Sequence, residues 1–336
     1  KEANIKLQTH WMPNLPGSDP NKDKEMFDEL CYNPLLSSDD IKIYPTVIVR
    51  TAIHDNNDNE GIDTVIEKWF HEGKYEPYSN EQVKEVIIYG LINIPEYVRV
   101  SRVFRDIPMP NIVNEDVQPN MRQLIKDIMD QEGLESADLR AHEVKGRIVD
   151  PEDVTIRVFQ FEASRSIEYF ISAISFVKNT ANGNDKFRIV HGFIRLRIPH
   201  QRRNHFIEEL DECAQIREVH VYGEMIPTFH LAGIHDDDVE YVRSLSTNQN
   251  RGIGKRLVQK AEELALENGF NKLAIISGVG VRDYYRKQGY HLEGAYMIKK
   301  IRSDWQRMCN DIFPFLITFA LTILIGILIK IATMRV

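Results

Sequence analysis

The chain has 336 residues, enough for about two domains, and its 43% hydrophobic and 27% charged residues are typical of a globular protein with sizeable cores. A formal net charge of −8 argues against bulk, non-specific binding to nucleic acid, so any basic surface must be local. Three scattered cysteines, Cys31, Cys213 and Cys309, exclude a structural zinc or iron–sulfur site made from this chain's cysteines alone, and they argue against a disulfide framework.

The first 150 residues mix short apolar runs with helical patterns. Apolar runs predict a buried strand over Ile41–Val49 and another strand over Val98–Phe104. Helical periodicity predicts three helices, over Ile62–Glu72, Glu81–Ile92 and Met121–Asp130. Ser79 and Asn80 are the expected caps of the second of these helices.

From about residue 155 onward the elements are easier to predict. Strands are expected at Ile156–Phe161, Ile167–Phe176, Ile189–Ile198, Glu218–Tyr222, Lys272–Ile276 and Gly294–Ile301. An amphipathic helix is predicted over Arg251–Asn268, with Gly269 as its C-cap, and a short helix over Arg282–Gln288. This order predicts an α+β layer with a crossover helix before Lys272.

A glycine-rich segment immediately precedes the amphipathic helix and predicts a phosphate cradle. It consists of Gln249, Asn250, Arg251, Gly252, Ile253 and Gly254, followed by Lys255. A helix start offers unpaired N–H groups and the positive end of the helix dipole, which together favour a pyrophosphate. Glycines at 252 and 254 let a ligand approach the backbone without a Cβ in the way. The alternative, that these residues serve only to open the helix, stays open.

The order of elements around this loop resembles the GNAT acetyltransferase fold. A strand precedes the loop, a strand follows the helix, and the segment Tyr284–Tyr290 (YYRKQGY) matches a late element of that family. The resemblance implies that the strand before the loop pairs with the pantetheine arm and that Tyr285 stands near the thioester sulfur. Its phenol is then a candidate general acid, with Tyr284 as a second candidate. The alternative is that both tyrosines pack.

A wider resemblance covers nearly all of residues 5–301. The matching segments are His10–Pro16, Ile41–Pro45, Gly73–Ser79, Arg102–Pro110, Arg140–Val144, Arg195–Arg197, Glu218–Gly223, Ile275–Gly280 and Arg282–Tyr290. Together they are similar to the catalytic third subunit of the Elongator complex, a radical-SAM enzyme fused to a GNAT domain. That family modifies C5 of the tRNA wobble uridine with acetyl-CoA, S-adenosylmethionine and a 4Fe–4S cluster.

The resemblance implies a fold class, a domain division and a set of ligand contacts. The fold is expected to be α/β and α+β: the C-terminal part of a radical-SAM-type barrel region over 1–110, a linker or tRNA-contacting segment over 111–154, and a GNAT domain over 155–301. Acetyl-CoA contacts are expected at Glu218, Val219, His220, Val221, Gln249, Arg251, Gly252, Ile253, Gly254, Lys255 and Tyr285. The family's cluster-binding cysteines have no equivalent in this chain, so no metal site is expected here.

Local groups of basic residues are candidates for contact with tRNA phosphates. They are Arg99, Arg102, Arg105, Arg140, Lys145, Arg147, Arg195 and Arg197. Arg195 and Arg197 are two positions apart, so a strand would place them on one face. The alternative for each group is an ordinary solvated surface.

A membrane anchor is expected at the C-terminus. The 18 residues Ile312–Ile329 carry no charge and would span about 27 Å as a helix, close to the thickness of a bilayer. The predicted span, 312–332, would anchor the protein facing the cytosol, with the mitochondrial outer membrane favoured over the endoplasmic reticulum. The alternative is a buried core helix or a partner-binding helix.

These observations favour a tRNA wobble-uridine acetyltransferase or carboxymethyl-forming enzyme anchored by its tail. The resemblance implies tRNA and the first and second Elongator subunits as partners, and a homodimer or paired complex is left open. A protein lysine acetyltransferase acting on histones or tubulin is the second interpretation. A non-catalytic, membrane-tethered scaffold for Elongator subunits is the third.

Overall fold

The computed structural model describes residues 1–49, 64–105, 107, 112–113, 120–145, 151–178, 186–222 and 252–301, which contain both helices and strands. The chain divides into two compact units. The first comprises Lys1–His200 with Arg217–Leu257, and the second comprises Gln201–Ile216 with Val258–Val336.

The first unit begins with an α/β layer. Three parallel strands pair in the order β1 (Gln8–Trp11), β2 (Asp40–Ile43) and β3 (Arg99–Val103). Four helices accompany them: α1 (Pro20–Tyr32), α2 (Val65–His71), α3 (Asn80–Asn93) and α4 (Met121–Glu132). One apolar cluster joins the strands to α1, α3 and α4, and it contains Phe27, Ile41, Ile87 and Ile125, all at most 2% exposed.

Close packing in this cluster depends on Gly90 in α3. A Cβ at this position would lie 2.8 Å from the ring of Trp11 and 3.3 Å from the ring of Phe27. Both rings pack against each other with centroids 4.6 Å apart, so neither can move aside freely. Glycine at position 90 therefore lets α3 approach the sheet.

The helix caps follow from side-chain chemistry. Ser79 caps α3 and forms a capping box with Gln82, whereas Asn80 is the first residue of the helix. The start of α1 is capped by Asp19, whose carboxylate accepts from the amides of Asn21 and Lys22.

The predicted strand Ile41–Val49 is shorter in the structure, where β2 ends at Ile43. Pro45 explains the difference, since proline has no N–H to donate to a ladder. Strand β1 and helix α1 were not predicted. Their apolar positions are few: α1 buries only Asp23, Phe27 and Cys31, which gives a weak periodic pattern.

The first unit continues with an antiparallel layer made of β4 (Thr155–Glu162), β5 (Ser166–Lys178) and β6 (Lys186–Pro199). The strand order is β4-β5-β6-β7, with β7 running from Cys213 to Val221. The first four residues of β7 belong to the second unit and the last five to the first.

In the second unit the strand order is β7-β8-β10-β9, with β8 at Lys272–Ile276, β9 at His291–Glu293 and β10 at Tyr296–Lys300. Helix α5 (Ile253–Glu267) starts in the first unit and continues into the second, and the short helix α6 covers Arg282–Arg286. The predicted C-cap of α5 is confirmed: Gly269 has φ of +77° and donates its amide to the carbonyl of Leu266.

The predicted localisation at a membrane is contradicted. Across the residues that the structure describes, no helix is long and apolar enough to cross a bilayer. The longest of them, α5, has 15 residues and would extend about 22 Å, short of the roughly 30 Å hydrocarbon core. The predicted span at 312–332 lies outside the described residues.

Candidate functional site

Helix α5 begins directly after a glycine in the left-handed conformation. Gly252 has φ of +75°, and no described heavy atom lies within 4 Å of the place its Cβ would occupy. The amides of Ile253, Gly254 and Lys255 are in the first helical turn, where no helical carbonyl is available to accept from them. Amides that have no helical acceptor and the positive end of the helix dipole together suit an anionic ligand.

The helix start is fixed to the antiparallel layer of the same unit. Arg256 donates from Nη2 to the carbonyl oxygen of Val154 at 2.8 Å, one residue before β4 begins. Arg256 also donates its amide to the carbonyl of Gly252 at 3.0 Å, which closes the first turn. A preorganised helix start binds an anion without losing much conformational entropy.

Strand β7 runs on beyond its pairing with β8. The parallel ladder joins Cys213–Ile216 to Lys272–Ile275, and β7 then continues to Val221. All four predicted contacts on this strand, Glu218, Val219, His220 and Val221, lie in this continuation. Extended ligand arms can pair with the backbone along a strand edge, and the described residues of β8 do not pair with this part of β7.

The end of β7 lies close against β6. A Cβ on Gly192 would meet the carbonyl oxygen of His220 at 2.8 Å, so only glycine permits this approach. The ring of His220 stacks on Phe193 with centroids 5.8 Å apart and contacts Tyr222 at 4.4 Å. Burial lowers the pKa of His220, so its imidazole is neutral at physiological pH.

The two candidate tyrosines lie on α6 in the second unit. Tyr285 is buried and packs edge-to-face on Tyr290 at 6.0 Å, whereas Tyr284 is 42% exposed. The hydroxyl of Tyr290 donates to Glu262 at 2.8 Å, and Lys299 pairs with the same carboxylate at 2.7 Å. Burial raises the pKa of Tyr285 to about 12, so its phenol keeps its proton well above neutral pH.

A buried ionic network in the first unit was not predicted from the sequence. Arg217 donates to both carboxylate oxygens of Asp39, each at 2.8 Å, and to Glu168 at 2.7 Å. Although burial opposes ionisation, the Arg217 hydrogen bonds and neighbouring cations hold the pKa of Asp39 well below its usual range. The network thus ties β7 to β5 and to the residue before β2.

Arg195 and Arg197 belong to this network, which corrects the prediction that they contact tRNA phosphates. Each is only 2% exposed. Arg195 donates to Glu218 at 2.9 Å, and Arg197 pairs with Glu168 at 3.3 Å. They are buried and paired with carboxylates, so neither guanidinium faces solvent. The sequence offered one signal for this network: charged residues such as Glu168 and Arg195 stand within the otherwise apolar patterns of strands β5 and β6.

The other predicted tRNA contacts are distributed as follows. Arg99 pairs with Glu143 at 2.9 Å, and Arg140 donates to the carbonyl oxygen of Ser101. Three are exposed: Arg102, Arg105 and Lys145. The structure brings Arg99, Arg102 and Arg140 together around β3. Arg147, Gln249 and Arg251 lie outside the described residues.

The described thiols do not fit the ligand set of an iron–sulfur cluster. Cys31 and Cys213 fall in different units, and burial raises the pKa of Cys31 to about 12 and that of Cys213 to about 11. A cluster requires thiolates, which burial disfavours here. Among the described residues, no group of three or more His, Cys, Asp or Glu side chains is arranged to hold a metal. Cys309 lies outside them.

Comparison with known proteins adds two family matches. Residues 38–131 match the Radical_SAM C-terminal domain, and residues 233–290 match the Acetyltransferase (GNAT) family. Similar proteins are a tRNA uridine(34) acetyltransferase of Methanocaldococcus jannaschii, 34% identical over 89% of this chain, and Elongator complex protein 3 of Drosophila melanogaster, 33% identical over 90% of it.

A solved structure is also similar. The archaeal Methanocaldococcus infernus Elp3 with an N-terminal deletion superposes with a TM-score of 0.69 at 32% sequence identity, covering 89% of this chain and 64% of that one. The chain spans about half the length of the curated relatives it matches, 50% in both cases above.

Proposed function

We propose that the chain binds acetyl-CoA and acts in modifying the tRNA wobble uridine, because residues 38–131 match the Radical_SAM C-terminal domain, residues 233–290 match the GNAT family, and similar proteins are named tRNA uridine(34) acetyltransferase and Elongator complex protein 3. The observation that carries this proposal is the start of α5. There Gly252, in the left-handed conformation, leads into amides that would hold the diphosphate of coenzyme A.

The end of β7 supports the same proposal. Glu218–Val221 extend beyond the ladder with β8 and would pair with the pantetheine arm. Bound acetyl-CoA would supply an activated acetyl group as a thioester. The proposal does not include a radical reaction of S-adenosylmethionine, because the described thiols, Cys31 and Cys213, do not fit the ligand set of an iron–sulfur cluster.

Tyr285→Phe tests the role that the family resemblance implies for this phenol. The substitution keeps the buried ring but removes the hydroxyl that would protonate a departing thiolate or position water. We expect tRNA-stimulated hydrolysis of acetyl-CoA to fall about 100-fold, with coenzyme A affinity unchanged by calorimetry. Because the pKa of Tyr285 is about 12, the acid form persists, and raising the pH from 7 to 10 should not remove its contribution.

Tyr284→Phe provides the matched control, since the same atom is removed from the neighbouring, exposed ring. We expect it to retain most of the activity. Equal losses in the two variants would contradict the assignment to Tyr285. Transfer of acetyl groups to histone or tubulin lysine peptides, at a rate independent of tRNA, would instead support a protein acetyltransferase.

The proposed partners are tRNA and the other Elongator subunits, because relatives are named as Elongator complex protein 3. The basic residues that remain candidates for tRNA are Arg99, Arg102, Arg105, Arg140, Lys145 and Arg147, the last of which lies outside the described residues. A homodimer or paired complex gains no support from the structure or from the comparisons.

A further inference from the structure

A buried carboxylate in the second unit joins α5 to the segment that follows α6. Glu262, on α5, is 8% exposed, and its Oε1 accepts hydrogen bonds from two donors. The hydroxyl of Tyr290 donates to it at 2.8 Å, and Lys299 on β10 donates from Nζ at 2.7 Å. A helix, a strand and a loop residue thus meet at one oxygen atom.

These contacts fix Tyr290 at two places. Glu262 holds the hydroxyl, and the ammonium of Lys299 lies 5.3 Å from the centre of the ring. Tyr290 is 3% exposed, and burial raises the pKa of its phenol well above the usual value. The hydroxyl therefore keeps the proton that it donates to Glu262 at physiological pH, and the ring has little freedom to shift.

Tyr290 in turn contacts Tyr285 through both its ring and its backbone. The two rings pack edge-to-face with centroids 6.0 Å apart and an interplanar angle of 67°. The amide of Tyr290 donates to the carbonyl oxygen of Tyr285 at 3.1 Å. Between them Gly289 has φ of +86°, a conformation that other residues rarely adopt, so glycine permits this tight turn of the chain.

Tyr285 needs this support because its own helix is short. Helix α6 has only five residues, whereas isolated helices below about 12–15 residues are marginal in water. The position of Tyr285 therefore depends on tertiary contacts such as those with Tyr290. A buried ion pair often contributes no more stability than apolar side chains of the same volume, but its hydrogen bonds have defined directions. The pair of Glu262 and Lys299 is therefore better suited to orienting a neighbouring group than to general stabilisation.

We propose that Tyr290, held by Glu262 and Lys299, is a positioning residue that fixes the direction of the Tyr285 phenol in the acetyl-CoA reaction. Tyr290 acts through Tyr285 and carries no chemical step itself. The inference rests on the proposed function, since Tyr285 has a chemical role only there. A misplacement of 1 Å can cost about 100-fold in rate, so a small shift of this phenol would be measurable.

Tyr290→Phe tests this inference, because it keeps the ring and removes the hydroxyl that Glu262 holds. We expect kcat for tRNA-stimulated hydrolysis of acetyl-CoA to fall about 10-fold, part of the roughly 100-fold cost of a 1 Å misplacement. KM and the calorimetric affinity for coenzyme A should stay unchanged. The matched control is Tyr89→Phe, which removes a similar hydrogen bond, 2.6 Å from hydroxyl to the Asp28 carboxylate, between α3 and α1 of the first unit. This control should retain full activity.

A double substitution separates positioning from a merely structural role. In the Tyr285→Phe background, where the hydroxyl is already absent, Tyr290→Phe should cause no further loss of kcat. Glu262→Gln keeps an oxygen that accepts from Tyr290 and should retain most of the activity, whereas Glu262→Leu should match Tyr290→Phe. Urea unfolding of each variant checks that it is folded under the assay conditions.

Two results would overturn the inference alone: a loss from Tyr290→Phe that multiplies with the loss from Tyr285→Phe, or activity of Tyr290→Phe equal to that of Tyr89→Phe. Normal activity of Tyr285→Phe, or no binding of coenzyme A by the unaltered chain, would instead contradict the proposed function. Either of these would also remove the reaction in which Tyr290 is assigned a part.

Discussion

Replacing Arg217 by alanine is expected to lower the free energy of unfolding by about 3–5 kcal/mol, because it removes the guanidinium that hydrogen-bonds to two buried carboxylates. Asp39 is fully buried and Glu168 is 1% exposed, and both accept hydrogen bonds from this guanidinium. Urea unfolding monitored by circular dichroism at pH 7 measures the loss. Thermal unfolding of the same variant checks it independently.

The matched control is Arg203→Ala. Arg203 pairs with Glu212 at 2.7 Å, but its side chain is 79% exposed, so its removal should cost less than about 1 kcal/mol. Similar losses in the two variants would contradict the account of the buried network.

The pH dependence has a defined sign. Because the native pKa of Asp39 is lowered, its contribution to stability is present above its unfolded pKa of about 4 and is lost as the pH falls below that value. Arg217→Ala removes the main cause of the lowered pKa. The variant should therefore lose less additional stability on acidification from pH 5 to pH 2 than the unaltered chain does, and an equal or larger loss would contradict this assignment.

Gly254→Glu should abolish measurable binding of coenzyme A. A carboxylate about 5 Å from a phosphate costs roughly 3 kcal/mol at an effective dielectric constant of 20, which corresponds to a loss of about 200-fold in affinity. Glutamate is a better helix former than glycine and is favourable in the first turn, so α5 should still form. Isothermal titration calorimetry measures the affinity, and circular dichroism checks the fold.

Gln259→Glu adds the same carboxylate to an exposed site further along α5 and should bind coenzyme A normally. Lys255→Glu places the charge on an exposed side chain of the first turn. This second variant tests the same claim if Gly254→Glu, which alters a buried position, unfolds the chain. Normal binding by both first-turn variants would contradict the proposed position of the diphosphate.

The helices and strands of the GNAT segment could largely be predicted because their patterns are strong. The predicted helix Arg251–Asn268 differs from α5 by two residues at its start and one at its end, and the predicted strand Lys272–Ile276 matches β8. Ser79 was correctly predicted as a cap of α3, whereas Asn80, the other predicted cap, is the first residue of the helix. In each case one local rule acts without competition from the rest of the fold.

Other features depend on tertiary contacts and could not be predicted. In the sequence, Arg195 and Arg197 resemble residues of a basic surface. In the fold, Arg195 pairs with Glu218 and Arg197 pairs with Glu168, next to the pair formed by Arg217 and Asp39. Sequence separations of up to 178 residues hide such pairs from any local pattern. The β-bulge at Ser101 of β3 could not be predicted for a similar reason. It is a shift in the pairing of β3 with β2, from Ile41 opposite Val100 to Lys42 opposite Arg102, and only the partner strand defines it.

The central claim is that amides around Gly252–Lys255 hold the diphosphate of coenzyme A. Calorimetry of the unaltered chain with coenzyme A and with pantetheine, which lacks the diphosphate, tests it most directly. We expect clear binding of coenzyme A and far weaker binding of pantetheine. Equal affinity for the two compounds, or no coenzyme A binding by a folded chain, would contradict the claim.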